Sequence, residues 1–368
     1  MNFNFFMPTK IYFGRNCLAE NSGEFSRWGA KALLITGRNS AKESGALQDV
    51  VHVLNSQGIT WELFDRIEEN PSLELVTEAA LFAREFVPDM IVAIGGGSPL
   101  DAAKAVAVLA VNNMEPALLY EGIFENEPLP VIALPLTAGT GSEVTPYSVL
   151  TDHECQTKRS VNHPDIFPKA AFLDARYTMS QPRHVTLNTA IDALSHAIEG
   201  YVSKRSNPVT DCLALQAIRA FGTVVPALAA GDLDINQREK LLEASLLAGV
   251  VIAQTATTVV HALGYSLTYF RHIPHGRANG MLLAEYLRFN QSTVPGKTEQ
   301  ILQALGLDTI EQFRELMNKL LPNPEIFTAA EVQDFAKIAL QARNIVNTPR
   351  MLKLEDLVEI LTKSVRLM

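Results

Sequence analysis

Two side chains capable of chemistry share one face of an apolar helix. The stretch AIDALSHAIEG, residues 190–200, places Asp192 and His196 four positions apart among alanine, leucine and isoleucine. Residues at this spacing project from the same side of a helix. A carboxylate buried among such neighbours needs a partner. That partner is either the imidazole alone, as a hydrogen-bonded core pair, or a bound metal ion.

Two further histidines favour the metal ion. His261 lies in the apolar stretch TTVVHALGY, and His275 lies in HIPHGRANG, before the next predicted helix. With the first pair they offer one carboxylate and three imidazoles, a set suited to Fe²⁺ or Zn²⁺ that leaves room for a substrate oxygen. His272 competes for the fourth position, but the turn at Pro274 should separate it from His275. We keep His272 as a candidate catalytic residue.

Glycine-rich turns follow apolar strands in the first half of the chain. AIGGGSPLDAAK leaves a strand and opens a helix, and LPLTAGTGSE leaves the next strand. Glycine lets the backbone approach a phosphate, and a helix N-terminus offers free N–H groups. The hydroxyls of Thr137, Thr140 and Ser142 could bind a diphosphate or ribose. We predict a dinucleotide site at the carboxyl edge of the sheet, with plain turns as the alternative, since Leu100 breaks the G-x-G-x-x-G pattern.

A third turn, which follows an earlier strand of the same half, bears on which dinucleotide binds. In ITGRNSAK, the positions of Gly37, Arg38 and Ser40 follow the strand, where a carboxylate typically holds the ribose 2′-hydroxyl. Here no carboxylate would repel a 2′-phosphate, and the Arg38 cation is near. This favours NADP over NAD, although Arg38 could equally be a solvated surface residue.

These residues require an α/β half followed by a helical half. In the first half, apolar strands alternate with amphipathic helices, which predicts a parallel sheet covered on both faces. From about Pro182 onward the periodicity is helical, over 185–203, 208–229, 236–270, 278–290, 295–305, 309–320, 329–345 and 354–366. We predict an α/β dinucleotide-binding domain over residues 1–180 and an all-helical, metal-binding catalytic domain over 181–368.

Composition excludes several classes of function. The chain has 368 residues, is 47% hydrophobic and carries a formal charge of −9, so it offers no electrostatic footprint for nucleic acid or an anionic membrane. Its three separated cysteines fit neither a disulfide framework nor a thiolate metal site, which favours the cytoplasm. We predict neither a signal peptide nor a membrane span.

The chain resembles the iron-containing (group III) alcohol dehydrogenase family over nearly its whole length. The resemblance is carried by MPTKIYFG, ENPS, GGGSPLDAAKA, TAGTGSEVTPYSVLTD, FLDARYTMSQP, AIDALSHAIEGYVS and HALGY…HIPHGRANGMLL. It implies a dehydroquinate synthase-like architecture, in which a dinucleotide-binding α/β domain packs against a helical domain that carries the metal, with the active site in the cleft between them.

The resemblance also implies roles for individual residues. The family's four metal ligands fall on Asp192, His196, His261 and His275. Its cofactor contacts fall on Gly37, Asn70, Gly96, Gly97, Ser98, Asp101, Thr137, Thr140 and Lys158. Members that hold to NAD often carry aspartate at the position of Gly37. Many members have a further histidine, proposed to relay the substrate proton, where this chain has Tyr265. We take Tyr265 as a candidate catalytic residue, although a phenol pKa of about 10 makes it a poorer relay.

The implied activity is hydride transfer between an alcohol held at the metal and a nicotinamide, or aldehyde reduction in reverse. NADP(H) is favoured with NAD as the alternative, and Fe²⁺ with Zn²⁺ as the alternative. The partners expected are a small alcohol or aldehyde and a second copy of the chain, as a homodimer. Rival predictions are a glycerol dehydrogenase-like enzyme, a dehydroquinate synthase-like lyase and a non-catalytic nucleotide-binding protein.

Overall fold

The computed structural model describes residues 2–368, which form two compact units. The sheet unit comprises residues 7–182, and the helical unit comprises 183–368 together with 2–6. The sequence prediction placed residues 2–6 in the first domain. In the structure the side chain of Gln254 accepts from the Phe6 N–H at 3.0 Å and donates to the Phe6 carbonyl at 2.8 Å, which fastens this segment to the helical unit.

The sheet unit is built on six parallel strands. Its strands are β1 (Lys10–Phe13), β2 (Lys31–Gly37), β3 (Thr60–Ile67), β4 (Met90–Gly95), β5 (Val131–Pro135), β6 (Tyr147–Asp152), β7 (Thr157–Asn162) and β8 (Ala170–Leu173). Its α-helices are α1 (Cys17–Glu20), α2 (Ser40–Glu43), α3 (Ala46–Ser56), α4 (Leu73–Phe86) and α5 (Gly97–Val111). The sheet runs in the order β1-β8-β5-β4-β2-β3, and β6 and β7 form a separate antiparallel pair. The predicted parallel sheet is confirmed.

Both faces of this sheet are buried. Leu33 of β2 lies in a core with Val76 and Val106 from α4 and α5, while the next residue, Leu34, lies in a second core with Val50 from α3. Successive strand residues point to opposite faces, so a strand covered on both sides must be apolar throughout. This explains why the strand sequences read as unbroken apolar runs.

The strand order creates a topological switch point at the carboxyl end of the sheet, and we call this place the crevice. Strand β2 lies between β3 and β4, so the chain leaves β2 towards one side and returns on the other. Ligands of open α/β sheets bind at such a switch point, outside the carboxyl ends of the strands. Gly37 ends β2 and Gly96 directly follows β4, so the turns after β2 and β4 flank this crevice.

The helical unit consists of nine α-helices and one short strand pair among residues 2–6 and 183–368. Its helices are α6 (Arg183–Val202), α7 (Pro208–Ala230), α8 (Ile235–Thr255), α9 (Val259–Arg271), α10 (His275–Asn290), α11 (Pro295–Ala304), α12 (Ile310–Leu320), α13 (Ala329–Leu340) and α14 (Leu354–Ser364). The strands are β9 (Ile326–Phe327) and β10 (Arg366–Leu367), which pair in parallel. Helix α6 packs against α7, α8 and α10, which makes it the central helix.

One helix predicted from the sequence is divided into two helices, α8 and α9. The sequence periodicity predicted a single helix over 236–270, but the chain breaks between α8 and α9 and turns by 109°. Ala256 stands in the break with a φ of 54°. The prediction of a continuous helix was therefore wrong here. The break places His261 in the first turn of α9.

One helix among residues 2–368, α7, is long and apolar enough to cross a membrane by length and composition alone. Helices α8 and α9 meet the same test only if the bent pair is taken as one span. Core helices of globular proteins often meet this test, and α7 packs along both α6 and α8. Its hydropathy is therefore weak evidence for a membrane span.

Candidate functional site

Helix α6 carries the first two predicted ligands into a buried setting. Asp192 is 3% exposed and His196 is 5% exposed. Alanines at 190, 193 and 197 favour the helix and keep the surroundings of both groups small. The two polar side chains are thus held in an apolar interior.

Helices α9 and α10 bring the other two histidines to this pair. Nε2 of His261 lies 3.8 Å from Oδ1 of Asp192, and Nε2 of His275 lies 3.9 Å from the same oxygen. The ligand atoms of these three residues lie within 4.8 Å of one another. Nε2 of His196 lies 2.9 Å from Nε2 of His261, with the two rings stacked at 4.6 Å. The structure therefore brings all four predicted ligands together.

The donor set fits a divalent cation. The Nδ2 amino group of Asn279 lies 2.9 Å from Oδ1 of Asp192, 3.1 Å from Nε2 of His261 and 3.2 Å from Nε2 of His275. A positively polarised group thus stands where three electron-pair donors converge. Nitrogen and carboxylate oxygen donors of this kind suit Fe²⁺ and Zn²⁺.

The Asp192 carboxyl is ionised despite its burial. Burial alone would raise its pKa, but the neighbouring imidazoles of His196, His275 and His261 outweigh this and lower the pKa to about 2. A carboxylate that stays charged in an apolar interior attracts a cation strongly, because the low local dielectric screens the attraction little.

Glycines let α10 approach its neighbours closely. A Cβ atom added to Gly276 would lie 1.8 Å from the backbone oxygen of Asn188 on α6. A Cβ added to Gly264 would lie 2.0 Å from Oδ1 of Asn279. These close approaches explain why the sequence places glycine at 264 and 276, beside the predicted ligands.

The two candidate catalytic residues occupy different places. The Tyr265 ring stacks on the His275 ring, with centroids 5.5 Å apart and planes at 16°. His272 is an exposed residue with a φ of 53° that ends α9. Tyr265 also meets the His261 ring edge-on at 6.3 Å, whereas none of the contacts described for residues 2–368 joins His272 to a ligand. The structure therefore brings Tyr265 to the cluster and leaves His272 outside it.

Sequence reasoning missed two polar residues beside the ligands. Glu199 is fully buried on α6, and its carboxylate contacts Nδ1 of His261. Asn279 is fully buried on α10, four residues after His275. Both residues could have been found from their spacing. Glu199 follows His196 by three positions and Asn279 follows His275 by four, which places each pair on one helix face.

The predicted nucleotide residues meet at the carboxyl edge of the sheet. A Cβ added to Gly96 would lie 3.1 Å from Cγ2 of Thr137, and one added to Gly97 would lie 2.5 Å from Cγ2 of Thr140. The turns after β4 and β5 are therefore in direct contact. No side chain caps the first turn of α5, which leaves its N–H groups for an anion.

A second set of contacts joins the remaining predicted residues of this edge. Ser98 Oγ accepts from the Asn70 N–H at 3.1 Å, and Lys158 donates to Oδ1 of Asn70 at 2.9 Å. Asn70 has a φ of 55°. Gly37 lies close to Ser40, whose Oγ would be 3.9 Å from an added Cβ, and Arg38 is exposed. Asn70, Ser98 and Lys158 therefore contact one another, and Gly37 ends β2, the strand next to β4.

A buried lysine, Lys104, supports the turn after β5. Its Nζ donates to Ser142 Oγ and to the Tyr147 carbonyl, both at 2.7 Å. Ser142 in turn donates to the Asp101 carboxylate, which also accepts from the Val149 N–H at 3.0 Å. Burial lowers the pKa of Lys104 to about 8. The network holds Asp101 and Ser142 in fixed positions beside the crevice.

Glu143 lies in the same turn and should make stability depend on pH. Burial raises the pKa of its carboxyl from 4.5 to about 7. The unfolded chain therefore releases this proton first, and stability falls as the pH rises from about 4.5 to 7. Glu143→Gln cannot ionise, so we expect it to be more stable than the wild type by about 3 kcal/mol at pH 8 and by about 1 kcal/mol at pH 5.

Urea unfolding of both proteins between pH 5 and pH 8 checks this expectation. Glu154→Gln, at an exposed carboxylate of the same unit, is the matched control and should show no pH-dependent difference. A difference for Glu143→Gln that stays constant across this range would contradict the assignment.

Comparison with known proteins identifies the family of the chain. A family model described as iron-containing alcohol dehydrogenase matches residues 8–175, and one for the C-terminal part of that family matches residues 186–365. The chain is 33% identical to the NADPH-dependent butanol dehydrogenase of Clostridium saccharobutylicum, covering 82% of this chain and 78% of the relative. It is also 33% identical to the 1,3-propanediol dehydrogenase of Klebsiella pneumoniae, covering 95% of each.

A solved structure supports the same family. The crystal structure of an iron-containing alcohol dehydrogenase from Thermotoga maritima matches with a TM-score of 0.93 and 38% identity over 99% of both chains. A parallel-sheet unit with glycine turns at its carboxyl edge, followed by a helical unit, defines an oxidoreductase of the two-domain α/β and all-α type. The chain belongs to the iron-containing alcohol dehydrogenase family, which implies a nucleotide cofactor and iron.

Proposed function

We propose that the protein is a metal-dependent, NADPH-linked aldehyde reductase that also catalyses the reverse reaction, oxidation of an alcohol by NADP⁺. The observation that carries this proposal is the convergence of Asp192, His196, His261 and His275 in one buried cluster. A protein that had kept only the fold would have no reason to retain such a set, which argues against a non-catalytic role.

The four side chains would hold one divalent cation, Fe²⁺ in first place and Zn²⁺ as the alternative. When bound, the cation would supply Lewis-acid polarisation of the substrate oxygen. Asp192 and the three histidines act as ligands, not as acids or bases. Asp192, His196 and His261 are buried, which strengthens the electrostatic contacts among them, and the His275 side chain is 20% exposed.

The residues of the crevice would bind the dinucleotide. Gly96 and Gly97 allow its phosphates to approach the N-terminus of α5, and Lys158 adds a positive charge. Gly37 places no carboxylate near the adenosine ribose, and Arg38 is exposed beside it. These features support NADPH over NADH, as does the cofactor named for the butanol dehydrogenase relative.

The proposed reaction transfers a hydride from the nicotinamide of NADPH to the carbonyl carbon of an aldehyde. One proton is added to the carbonyl oxygen, which gives a primary alcohol and NADP⁺. The names of the two relatives, a butanol and a 1,3-propanediol dehydrogenase, support short aldehydes and alcohols as the substrate class.

The test is a coupled assay on protein purified without oxygen. Metal content is measured first, and oxidation of NADPH and of NADH is then followed over a panel of short aldehydes. We expect bound iron or zinc and oxidation of NADPH in proportion to aldehyde added. Absence of net cofactor turnover with any aldehyde would instead favour the dehydroquinate synthase-like alternative. Reduction of NAD⁺ by glycerol in the reverse assay, without reduction of any aldehyde, would favour the glycerol dehydrogenase-like one.

Tyr265 is proposed as the group that passes the substrate proton. Tyr265→Phe keeps the ring that stacks on His275 and removes only the hydroxyl. We expect kcat to fall about tenfold with metal content unchanged, and Tyr265→His to restore it, because imidazole is the better relay at neutral pH. An unchanged kcat in Tyr265→Phe would exclude the phenol from the proton path.

We also propose that the enzyme is a cytoplasmic homodimer. Strand β1 lies at one edge of the sheet and exposes Ile11 and Phe13, which a second chain could cover. Cys155 and Cys212 are exposed and free, as expected where thiols stay reduced. Sedimentation equilibrium should give twice the chain mass of 40.3 kDa, and a single-chain mass would contradict the dimer.

A further inference from the structure

We propose that Glu199 is a positioning residue that fixes the imidazole of His261 with its Nε2 lone pair directed into the ligand cluster. The inference rests on the proposed metal site and deepens it. It assigns a function to a buried carboxylate that is not one of the four ligands.

Each oxygen of Glu199 contacts a different part of α9. Oε2 contacts Nδ1 of His261. Oε1 accepts from the Thr258 hydroxyl at 2.6 Å, from the Thr258 N–H at 2.9 Å and from the Val260 N–H at 3.1 Å. One carboxylate therefore holds both the backbone that carries His261 and the ring itself.

The contact with the ring determines its tautomer. An ionised carboxylate only accepts hydrogen bonds, so Nδ1 of His261 must carry the proton in this contact. In the neutral ring the other nitrogen, Nε2, is then an unprotonated donor of electron pairs. This Nε2 is the atom that faces His196 at 2.9 Å and Asp192 at 3.8 Å. A carboxylate behind a ligating histidine commonly orients the ring and raises its basicity.

The contact with the backbone holds the start of α9, directly after the break between α8 and α9. The side chain of Thr258, the residue before α9, forms no capping bond to the first turn. Glu199 takes this role from another helix, and its negative charge lies at the positive end of α9. His261 therefore stands in the first turn of a helix whose start is held by the same carboxylate that orients its ring.

The surroundings of Glu199 exclude solvent. The residue has 0% exposure, and the Thr258 hydroxyl that donates to it accepts in turn from the Tyr286 hydroxyl at 3.1 Å. Burying a carboxylate is costly unless it is fully hydrogen-bonded. The bonds to His261 and to the start of α9 compensate for this cost.

Glu199→Gln tests the assignment. The amide keeps the size and one acceptor, so it can still cap α9, but it presents N–H₂ where Oε2 stood. That group favours an unprotonated Nδ1 on His261 and a protonated, non-ligating Nε2. We expect the Zn²⁺ affinity of the purified apoprotein, measured by chelator competition, to fall about 10- to 100-fold.

Thr258→Val is the matched control. It removes a hydroxyl bond to Oε1 and leaves the contact with the ring in place. We expect a lower melting temperature of the apoprotein with Zn²⁺ affinity close to that of the wild type. Equal Zn²⁺ affinity in Glu199→Gln and the wild type would overturn the proposal, as would an equal loss of affinity in Thr258→Val.

A measurement on the wild type covers the case in which Glu199→Gln does not fold. Nitrogen-15 NMR of the histidine rings in the wild-type apoprotein should show His261 protonated at Nδ1 and not at Nε2, and the opposite tautomer would overturn the proposal. Failure of the wild type to bind Zn²⁺ or Fe²⁺ at all would refute the proposed function, which is a separate outcome.

Discussion

Replacing His261 with alanine should remove the metal and lower kcat/KM for aldehyde reduction by at least about 10³-fold. The reason is that His261 contributes one of the donor atoms that converge with Asp192 and His275. NADPH affinity should be retained, because the residues proposed to bind it belong to the sheet unit. Metal analysis, NADPH fluorescence titration and steady-state kinetics on the same preparation measure all three properties.

His184→Ala is the control for this variant. His184 lies on α6 like two of the proposed ligands, but it is exposed at the start of the helix. It should keep full metal content and activity. If His261→Ala retained wild-type activity, the assignment of the four ligands would be untenable.

Gly37→Asp should exchange the cofactor preference. A carboxylate at the end of β2 would repel the 2′-phosphate of NADPH and accept a hydrogen bond from the 2′-hydroxyl of NADH. The position tolerates a side chain, since an added Cβ would lie 3.4 Å from the Ile67 carbonyl, an ordinary contact. We expect kcat/KM for NADPH to fall about 100-fold and that for NADH to stay equal or rise, a change of about 3 kcal/mol in discrimination.

Gly37→Asn separates charge from size at this position. Its amide matches the aspartate in volume but carries no charge, so it should lower kcat/KM for NADPH far less. An equal loss in both variants would mean that space, and not the 2′-phosphate, governs the preference. Equal use of NADPH and NADH by the wild type would contradict the proposed preference itself.

The sequence was sufficient to predict the class of fold. Unbroken apolar strands alternating with helices predict a parallel sheet, because a strand buried on both faces has no polar side to display. It could not predict the strand order, which places β2 between β3 and β4 and so creates the crevice. Nor did periodicity reveal the β6–β7 pair, whose half-buried residues show no clear alternation.

Part of the candidate site could also be predicted from local sequence pattern. Asp192 and His196 share a helix face, so their proximity follows from spacing alone. The break between α8 and α9 was missed because hydrophobic periodicity continues across it, whereas the carboxylate that bonds to the start of α9, Glu199, lies more than 50 residues earlier in the chain. Interactions between distant residues of this kind leave no local pattern in a single sequence.

The most direct test of the central claim is to titrate the metal-free enzyme with Fe²⁺ in the absence of oxygen while following NADPH oxidation by an aldehyde. The account predicts negligible activity at the start and a linear rise that ends at one Fe²⁺ per chain. A metal-free enzyme that already turns over at the full rate, or one that gains no activity from Fe²⁺ or Zn²⁺, would contradict it.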